Sequence, residues 1–155
     1  GAELRAMIAA GGHSGPLVQE VLNAGKRMPD FMPTFLQTQK IVQHFDGEEH
    51  IIADGLARGP DQTRAFDDMM QFYGRGDYHI VQLTLSEDSS VKRLLARGRV
   101  DDTEEAIRSR LAWSKTDMMP QLELLESRGR VIHEIDGEPD VETIHKNILA
   151  ALKLV

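Results

Sequence analysis

Arginines crowd the segment from residue 93 to residue 110, and the spacing of several of them indicates anion chemistry. Arg93 and Arg97 are four residues apart, so they share one face of a predicted helix. Gly98 is expected to end that helix and to place Arg99 in a tight loop, while Arg110 lies two turns into the next helix. Converging guanidinium groups repel one another unless an anion lies between them. Phosphoryl transfer needs such a set, because the protein must position phosphates and neutralise the charge on the transferred group. The alternative interpretation is an ordinary charged surface.

A second candidate group follows the apolar run at residues 51–53, which is predicted to be a buried parallel strand. The run ends at Asp54, and the chain then turns through Gly55 and presents Arg58. In open α/β sheets the ligand binds beyond the carboxyl ends of the strands. There Asp54 could hold Mg²⁺ through water, and Arg58 could clamp a phosphate. The alternative is an aspartate that caps the turn and an arginine that pairs with it.

The elements that must position these side chains are predicted from hydrophobic periodicity and from capping residues. Three helices come first, over residues 1–10, from about 16 to 25 with Ser14 as N-cap, and over 30–45. Strands are predicted over 51–54, 78–85 and 131–135. Helices are predicted over 61–74, from 87 with Ser86 as N-cap, from a capping box at 102–105 to about 129, and over 141–154. Because strands and helices alternate after residue 50, we expect an α/β fold with a mostly parallel sheet.

Composition excludes several classes of function. The chain has 155 residues, enough for one compact domain, and a net charge of −7, which argues against a general nucleic-acid-binding surface. It has no cysteine, and its six histidines show no metal-binding spacing. No segment reaches the roughly 18 apolar residues of a membrane span. We therefore expect a cytoplasmic protein with no nucleic-acid or membrane partner. A monomer is also expected.

Four motifs resemble those of the adenylate kinases, members of the nucleoside monophosphate kinases, and they occur in the family's order. Residues 3–11 resemble the start of the family's AMP-binding helical lobe, and residues 25–30 resemble its Gly-x-x-Val-Pro-Asp turn. Residues 54–62 resemble its Asp-Gly-Phe-Pro-Arg-Thr-x-x-Gln signature, and residues 97–102 with Arg110 resemble its lid and Arg-x-Asp-Asp motif. The resemblance implies a P-loop NTPase-like parallel sheet flanked by helices. It also implies a small helical NMP-binding lobe at 1–29 and a core domain at 30–155 with a very short lid loop at 97–102.

The same resemblance implies the roles of individual residues. The residues implied to bind AMP are Arg5, Lys26, Arg27, Met28, Gly55, Arg58, Gln62, Arg99 and Arg110, with Lys26 to Met28 acting through the backbone. The residues implied to bind ATP are Arg93, Arg97 and Pro139. Those implied to act in phosphoryl transfer are Arg58, Arg97, Arg99 and Arg110. Asp54 is implied to hold the Mg²⁺ cofactor through water.

Three features depart from the family pattern. Leu56 and Ala57 stand where the family has Phe-Pro, and a single Gly98 forms the lid loop. The 155 residues contain no Gly-rich stretch followed by Lys and Ser or Thr. In the family, that phosphate loop follows a first strand that lies centrally, between the strands predicted at Ile51 and Ile80. We therefore expect the chain to be the latter part of a longer protein.

The predicted function is reversible transfer of a phosphoryl group from ATP to AMP, giving two ADP, so that the expected partners are ATP, AMP and ADP. Adenine is favoured as the acceptor base because the Gln62 amide can pair with its edge. One alternative is a UMP/CMP-type kinase. Another is a non-catalytic nucleotide-binding relative or fragment without the phosphate loop.

Overall fold

The computed structural model describes residues 2–55, 58–99 and 102–154. The elements in chain order are α1 (Ala2–Ala10), α2 (Ser14–Asn23), α3 (Phe31–His44), α4 (Pro60–Phe72), β1 (His79–Thr84), α5 (Glu87–Arg97), α6 (Glu104–Ser127), β2 (Val131–Asp136) and α7 (Val141–Ala151). The alternation of strands and helices predicted after residue 50 is confirmed only from β1 onward. No helix in these described ranges is long and apolar enough to cross a membrane.

Strands β1 and β2 pair in parallel, in a register that runs from His79 opposite Val131 to Thr84 opposite Asp136. Helices α5 and α6 form the crossover between the two strands, as a parallel connection requires. Helices α6 and α7 both contact β2, and Ile135 of β2 is buried. The carboxyl ends of both strands consequently face the start of α5 and the turn before α7.

The hydrophobic core has its densest part on α4. Phe66, Met69 and Met70 are buried, and their spacing of three and four residues places them on one face of the helix. Ile41 of α3 and Tyr78, just before β1, pack against them. This core joins the helices of the first half of the chain to the sheet of the second half.

The strand predicted at residues 51–54 is not formed. Within the described residues, β1 pairs with β2 alone, so segment 51–54 has no strand beside it to accept or donate ladder hydrogen bonds. Ile51 is half-buried against the α4 core, whereas the neighbouring Ile52 is 96% exposed. The apolar run therefore marked a segment that contacts the core, but burial alone does not make a strand.

Two predicted helix starts were also wrong. Helix α2 begins at Ser14 itself, with His13 at the N-cap and no side-chain cap. Helix α6 is capped by Thr103, whose Oγ1 accepts from the Ala106 N–H at 3.2 Å, and not by Asp102. A carboxylate forms stronger hydrogen bonds with guanidinium groups than with one backbone amide, and Asp102 lies between two arginines. The predicted Ser86 cap of α5 is confirmed, since Ser86 accepts from the Ser89 N–H at 3.2 Å.

Candidate functional site

Asp102 is the centre of an arginine cluster formed by the end of α5 and the start of α6. Arg97 donates to it in a bidentate manner, from Nε to Oδ2 and from Nη2 to Oδ1, both at 2.9 Å. Arg110 donates from Nη1 to the same Oδ1 at 3.3 Å. The hydrogen bond from Arg97 is the largest influence on the carboxyl group, and the pKa of Asp102 is lowered although burial opposes this. The Asp102 side chain is fully buried, while the side chains of Arg97 and Arg110 are 34% and 23% exposed.

This cluster is preorganised by local sequence. Gly98 ends α5 in the left-handed conformation, with φ of 66°, which turns the chain back toward α6 immediately after Arg97. Thr103 then fixes the start of α6, so that Arg110 lies on the helix that follows Asp102 directly. Arg99 is exposed in the connecting loop, and Asp101 lies outside the described residues. The structure thus brings together two of the arginines predicted to act in phosphoryl transfer.

A second group joins α5 to the turn after β2. Arg93 donates from Nη1 to the carbonyl oxygen of Gly137 at 2.6 Å, and from Nη2 to those of Glu138 and Pro139 at 2.7 and 3.3 Å. The Glu138 carboxylate in turn accepts from the Ser86 N–H and from the Ser89 hydroxyl, both at 2.6 Å. The predicted ATP-side residues Arg93 and Pro139 therefore lie together. Glu138 was missed, because an acid in a short loop carries no sequence signal for this role.

A third group surrounds Arg58, in the loop before α4. The Arg58 side chain lies close over Gly55, where an added Cβ would be 2.8 Å from Arg58 Nη2, so glycine leaves room for the guanidinium group. The Arg58 N–H donates to Oε1 of the buried Gln62 at 3.3 Å. Arg27 donates from Nη1 to the Arg58 carbonyl oxygen at 2.9 Å, which joins this loop to the turn before α3. Four residues predicted on the AMP side are thereby neighbours.

Other predicted site residues are not joined to these groups by the contacts seen in residues 2–55, 58–99 and 102–154. Arg5 on α1 and Asp54 are exposed, as is Lys26, while Met28 is half-buried. No cluster of three metal-ligating side chains occurs in the described part of the chain. A single exposed carboxylate such as Asp54 fits a water-mediated contact to Mg²⁺, which usually retains several of its waters, and not a protein cage.

An apolar cavity of about 590 Å³ lies between segment 49–55 and β1. Its apolar lining comes from that segment, α4, β1 and α6, and includes Ile51, Phe66, Met70, Val81, Leu83, Leu122 and Leu125. In the described sheet, β1 has β2 on one edge only, and the cavity borders β1. Both Ile51 and Ile80 line this space.

The fold and these groups define an α/β protein in which arginines from α5, α6 and the loop before α4 are held by short polar contacts. A family model described as adenylate kinase matches residues 1–130. The chain belongs to the adenylate kinase family. The resemblance inferred from the four motifs is confirmed, and the intact protein is a phosphotransferase, an adenylate kinase-like nucleoside monophosphate kinase.

Individual relatives agree over nearly the whole chain. An adenylate kinase of Synechococcus sp. (strain RCC307) is 30% identical over 149 residues, which are 96% of this chain and 80% of the relative. Adenylate kinase 1 of Nostoc sp. (strain PCC 7120) is 31% identical over 138 residues, or 89% of this chain and 74% of the relative. An adenylate kinase of Stenotrophomonas maltophilia (strain K279a) is 32% identical over 154 residues, or 97% of this chain and 81% of the relative.

Proposed function

We propose that this chain provides the acceptor site and the arginine cage for the reaction ATP + AMP ⇌ 2 ADP. The observation that carries the proposal is the Asp102 cluster. It holds Arg97 and Arg110 side by side through one buried carboxylate while both guanidinium groups stay partly exposed. A phosphate entering this site meets donors that are already oriented. Preorganised donors stabilise developing charge without reorganising during the reaction.

In the proposed transfer, an oxygen of the AMP phosphate attacks the γ-phosphorus of ATP in line, and the bond to the β–γ bridging oxygen breaks. The acceptor becomes ADP, and the leaving group is also ADP. Arg97, Arg99 and Arg110 neutralise charge on the transferred group. Asp54 would hold Mg²⁺ through water, and the chemistry that such an ion would supply is neutralisation of phosphate charge. Arg93 and Pro139 contact the base of ATP.

On the acceptor side, Arg58 and Arg5 bind the AMP phosphate, and Gln62 recognises the base. The Gln62 Oε1 already accepts from the Arg58 N–H, so its Nε2 donors are the atoms directed to the base. Adenine offers ring-nitrogen acceptors that suit this donor. Gly55 and the backbone of residues 26–28 complete the pocket.

The apolar cavity is the proposed place of the strand that leads into the phosphate loop. Its lining of aliphatic and aromatic side chains suits a strand that is buried on both faces. A strand there would pair with the second edge of β1 and would give segment 51–54 the neighbour that it lacks. We propose that the P-loop NTPase-like sheet is completed in this way.

Turnover tests the proposal directly. ADP formation from ATP and AMP by the intact protein is measured in a coupled assay, with calorimetric titration of each nucleotide in parallel. We expect Arg97→Ala to lower kcat by about 10²–10³-fold, the effect of losing one preorganised donor. The matched control is Arg108→Ala on α6, because Arg108 pairs with Glu87 and Glu104 at the surface and is outside the proposed cage. Equal turnover by both variants would contradict the assigned role of the cage.

The same measurements separate the second candidate function, a nucleotide-binding module that does not transfer phosphate. Nucleotide binding without ADP formation would support it. Absence of both would refute the proposed site itself.

A further inference from the structure

The Arg27 side chain lies where the turn at residues 24–30 meets the loop that carries Arg58. It donates from Nη1 to the Arg58 carbonyl oxygen at 2.9 Å and forms an ion pair from Nη2 to Asp30 Oδ1 at 3.2 Å. Its Nη1 also lies 3.5 Å from Asp117 Oδ2 on α6. Its side chain is 32% exposed, so these contacts are partly shielded from water. One guanidinium group therefore connects three segments that are far apart in sequence.

Asp30 holds the other end of the same loop. Its Oδ2 accepts from the Asp61 N–H at 3.2 Å, and its side chain is only 13% exposed. An added Cβ on Gly59 would overlap the Asp30 carboxylate, so the loop backbone lies directly against it. Because Arg27 binds Asp30 and also the Arg58 carbonyl, the pair fixes the loop on both sides of Gly59.

The turn itself is attached to α6. The Trp113 Nε1–H donates to the Gly25 carbonyl oxygen at 2.9 Å, and Gly25 is buried against Ala106. The Arg27–Asp117 ion pair adds a contact one turn further along α6. Arg110 lies on this helix between Ala106 and Trp113. The Arg58 loop and the Arg110 helix are thus held to the same turn.

We propose that Arg27 is a positioning residue that sets the Arg58 loop against α6, so that Arg58 and Arg110 face one acceptor phosphate. The inference deepens the proposed function and rests on it for its ligand, a nucleoside monophosphate. Arg27 acts through its side chain on the Arg58 backbone, in addition to the backbone contact with AMP that the family resemblance implies. Its loss affects the acceptor nucleotide and leaves the ATP side, around Arg93, unchanged.

The test compares Arg27→Met, Arg27→Lys and Arg64→Met. Arg64 is the matched control, because it is also an arginine paired with an aspartate: its Nη1 lies 3.6 Å from Asp61 Oδ1 on α4, and its side chain is 56% exposed. Two readouts are taken for each variant: calorimetric titration with AMP and with ATP, and amide hydrogen exchange of residues 58–63. Urea unfolding verifies that each variant is folded.

For Arg27→Met we expect AMP affinity to fall about tenfold, the equivalent of one good charge-assisted hydrogen bond, with ATP affinity within about twofold of wild type. Exchange in residues 58–63 should become faster, because the Asp61 amide is no longer held by a fixed Asp30. Arg27→Lys should recover part of the AMP affinity, since it keeps the ion pair but not the fork of donors. Arg64→Met should match wild type.

Wild-type AMP affinity together with wild-type exchange in Arg27→Met would overturn the inference, as would an equal loss for AMP and ATP. If the wild-type chain binds no AMP, the proposed function fails. The exchange data then still decide whether Arg27 fixes the loop.

Discussion

At the scale of single residues, Glu138 shows how an exposed loop carboxylate becomes a fixed part of a site. Both of its oxygens accept short hydrogen bonds from the first turn of α5, from Ser86 N–H and Ser89 Oγ. Its carbonyl oxygen accepts from Arg93, the residue proposed to lie at the ATP base. Hydrogen bonds to the ionised form favour that form, led by the one from Ser89, and they lower the pKa of Glu138 to about 2.

This pKa predicts a specific pH dependence. The pKa of Glu138 in the folded protein is below its ordinary value of 4.5. The ionised carboxylate therefore contributes fully to the free energy of unfolding above pH 4.5, and this contribution is lost as pH falls toward about 2. We expect the difference in free energy of unfolding between wild type and Glu138→Gln to shrink on acidification from pH 6 to pH 3, measured by urea unfolding. Glu123→Gln, an exposed change on α6, is the control. A Glu138 carboxyl that titrates by NMR at its ordinary value of 4.5 would contradict the prediction.

Whether the sequence could identify a site residue depends on the chemical group that its side chain binds. Arg97 and Arg110 carry charges, so their spacing indicated that they converge, and in the structure both donate to Asp102. Arg93 and Arg27 are bound instead to backbone carbonyls of Gly137 and Arg58. Every residue has a carbonyl, so no residue type in the sequence marks such a partner.

At the scale of elements, the turn at residues 24–30 depends on the absence of a side chain at Gly25. The residue has φ of +60°, and an added Cβ would lie 2.5 Å from the Ala106 carbonyl oxygen of α6. Backbone of α6 cannot move aside as the end of a flexible side chain can. The close contact also brings the Gly25 carbonyl within reach of Trp113.

We therefore predict that Gly25→Ala is much more destabilising than Gly12→Ala. Gly12 is the matched control, because its φ is +76° but an added Cβ would meet nothing within 4 Å. Gly12→Ala should lower the free energy of unfolding by about 1–2 kcal/mol, which is the cost of a left-handed backbone for a residue with a Cβ. Gly25→Ala should cost about 1–3 kcal/mol more, because the turn must separate from α6. Urea unfolding measures both, and the fluorescence of the single tryptophan, Trp113, reports on the turn. Equal costs would show that the turn can shift without penalty.

The helices could be predicted better than the strands, for a physical reason. A helix satisfies its backbone within its own segment, so the caps at Ser86 and Gly98 and the apolar face of α4 were visible in local sequence. A strand needs a neighbour. Residues 51–54 have the composition of a buried strand, yet in the described structure no strand lies beside them. Strands β1 and β2 were correctly predicted, because each strand forms its ladder of backbone hydrogen bonds with the other.

At the scale of the whole molecule, Asp67 joins α4 to the segments that lead into β1 and β2. This aspartate of α4 is buried and accepts from Arg130 Nε and Arg128 Nη1, both at 2.7 Å, and from the Tyr78 hydroxyl at 2.9 Å. Arg130 also lies over the Tyr78 ring, 5.2 Å from its centroid. Burial opposes the charge on Asp67, but the hydrogen bonds from Arg128, Arg130 and Tyr78 outweigh it, so the pKa of Asp67 is lowered.

Asp67→Asn should therefore destabilise the whole molecule, because an amide keeps one acceptor and turns an NH₂ group toward guanidinium groups that are left without their counter-charge. We expect a loss of about 3–5 kcal/mol, the usual effect of breaking a buried pair. The neighbouring Asp68→Asn is the control. Its side chain is 74% exposed and 3.6 Å from Arg128, and it should cost under about 1 kcal/mol. Urea unfolding at neutral pH measures both.

The difference in free energy of unfolding between the Asp67→Asn and Asp68→Asn variants should also depend on pH, and it should shrink as the pH falls. Since the pKa of Asp67 is below its ordinary value of 3.8, its stabilisation is present above that pH and disappears on further acidification. A difference that stays constant through this range would mean that Asp67 acts by packing and not by charge. A small loss at neutral pH would mean that the α4 core alone holds the two halves together.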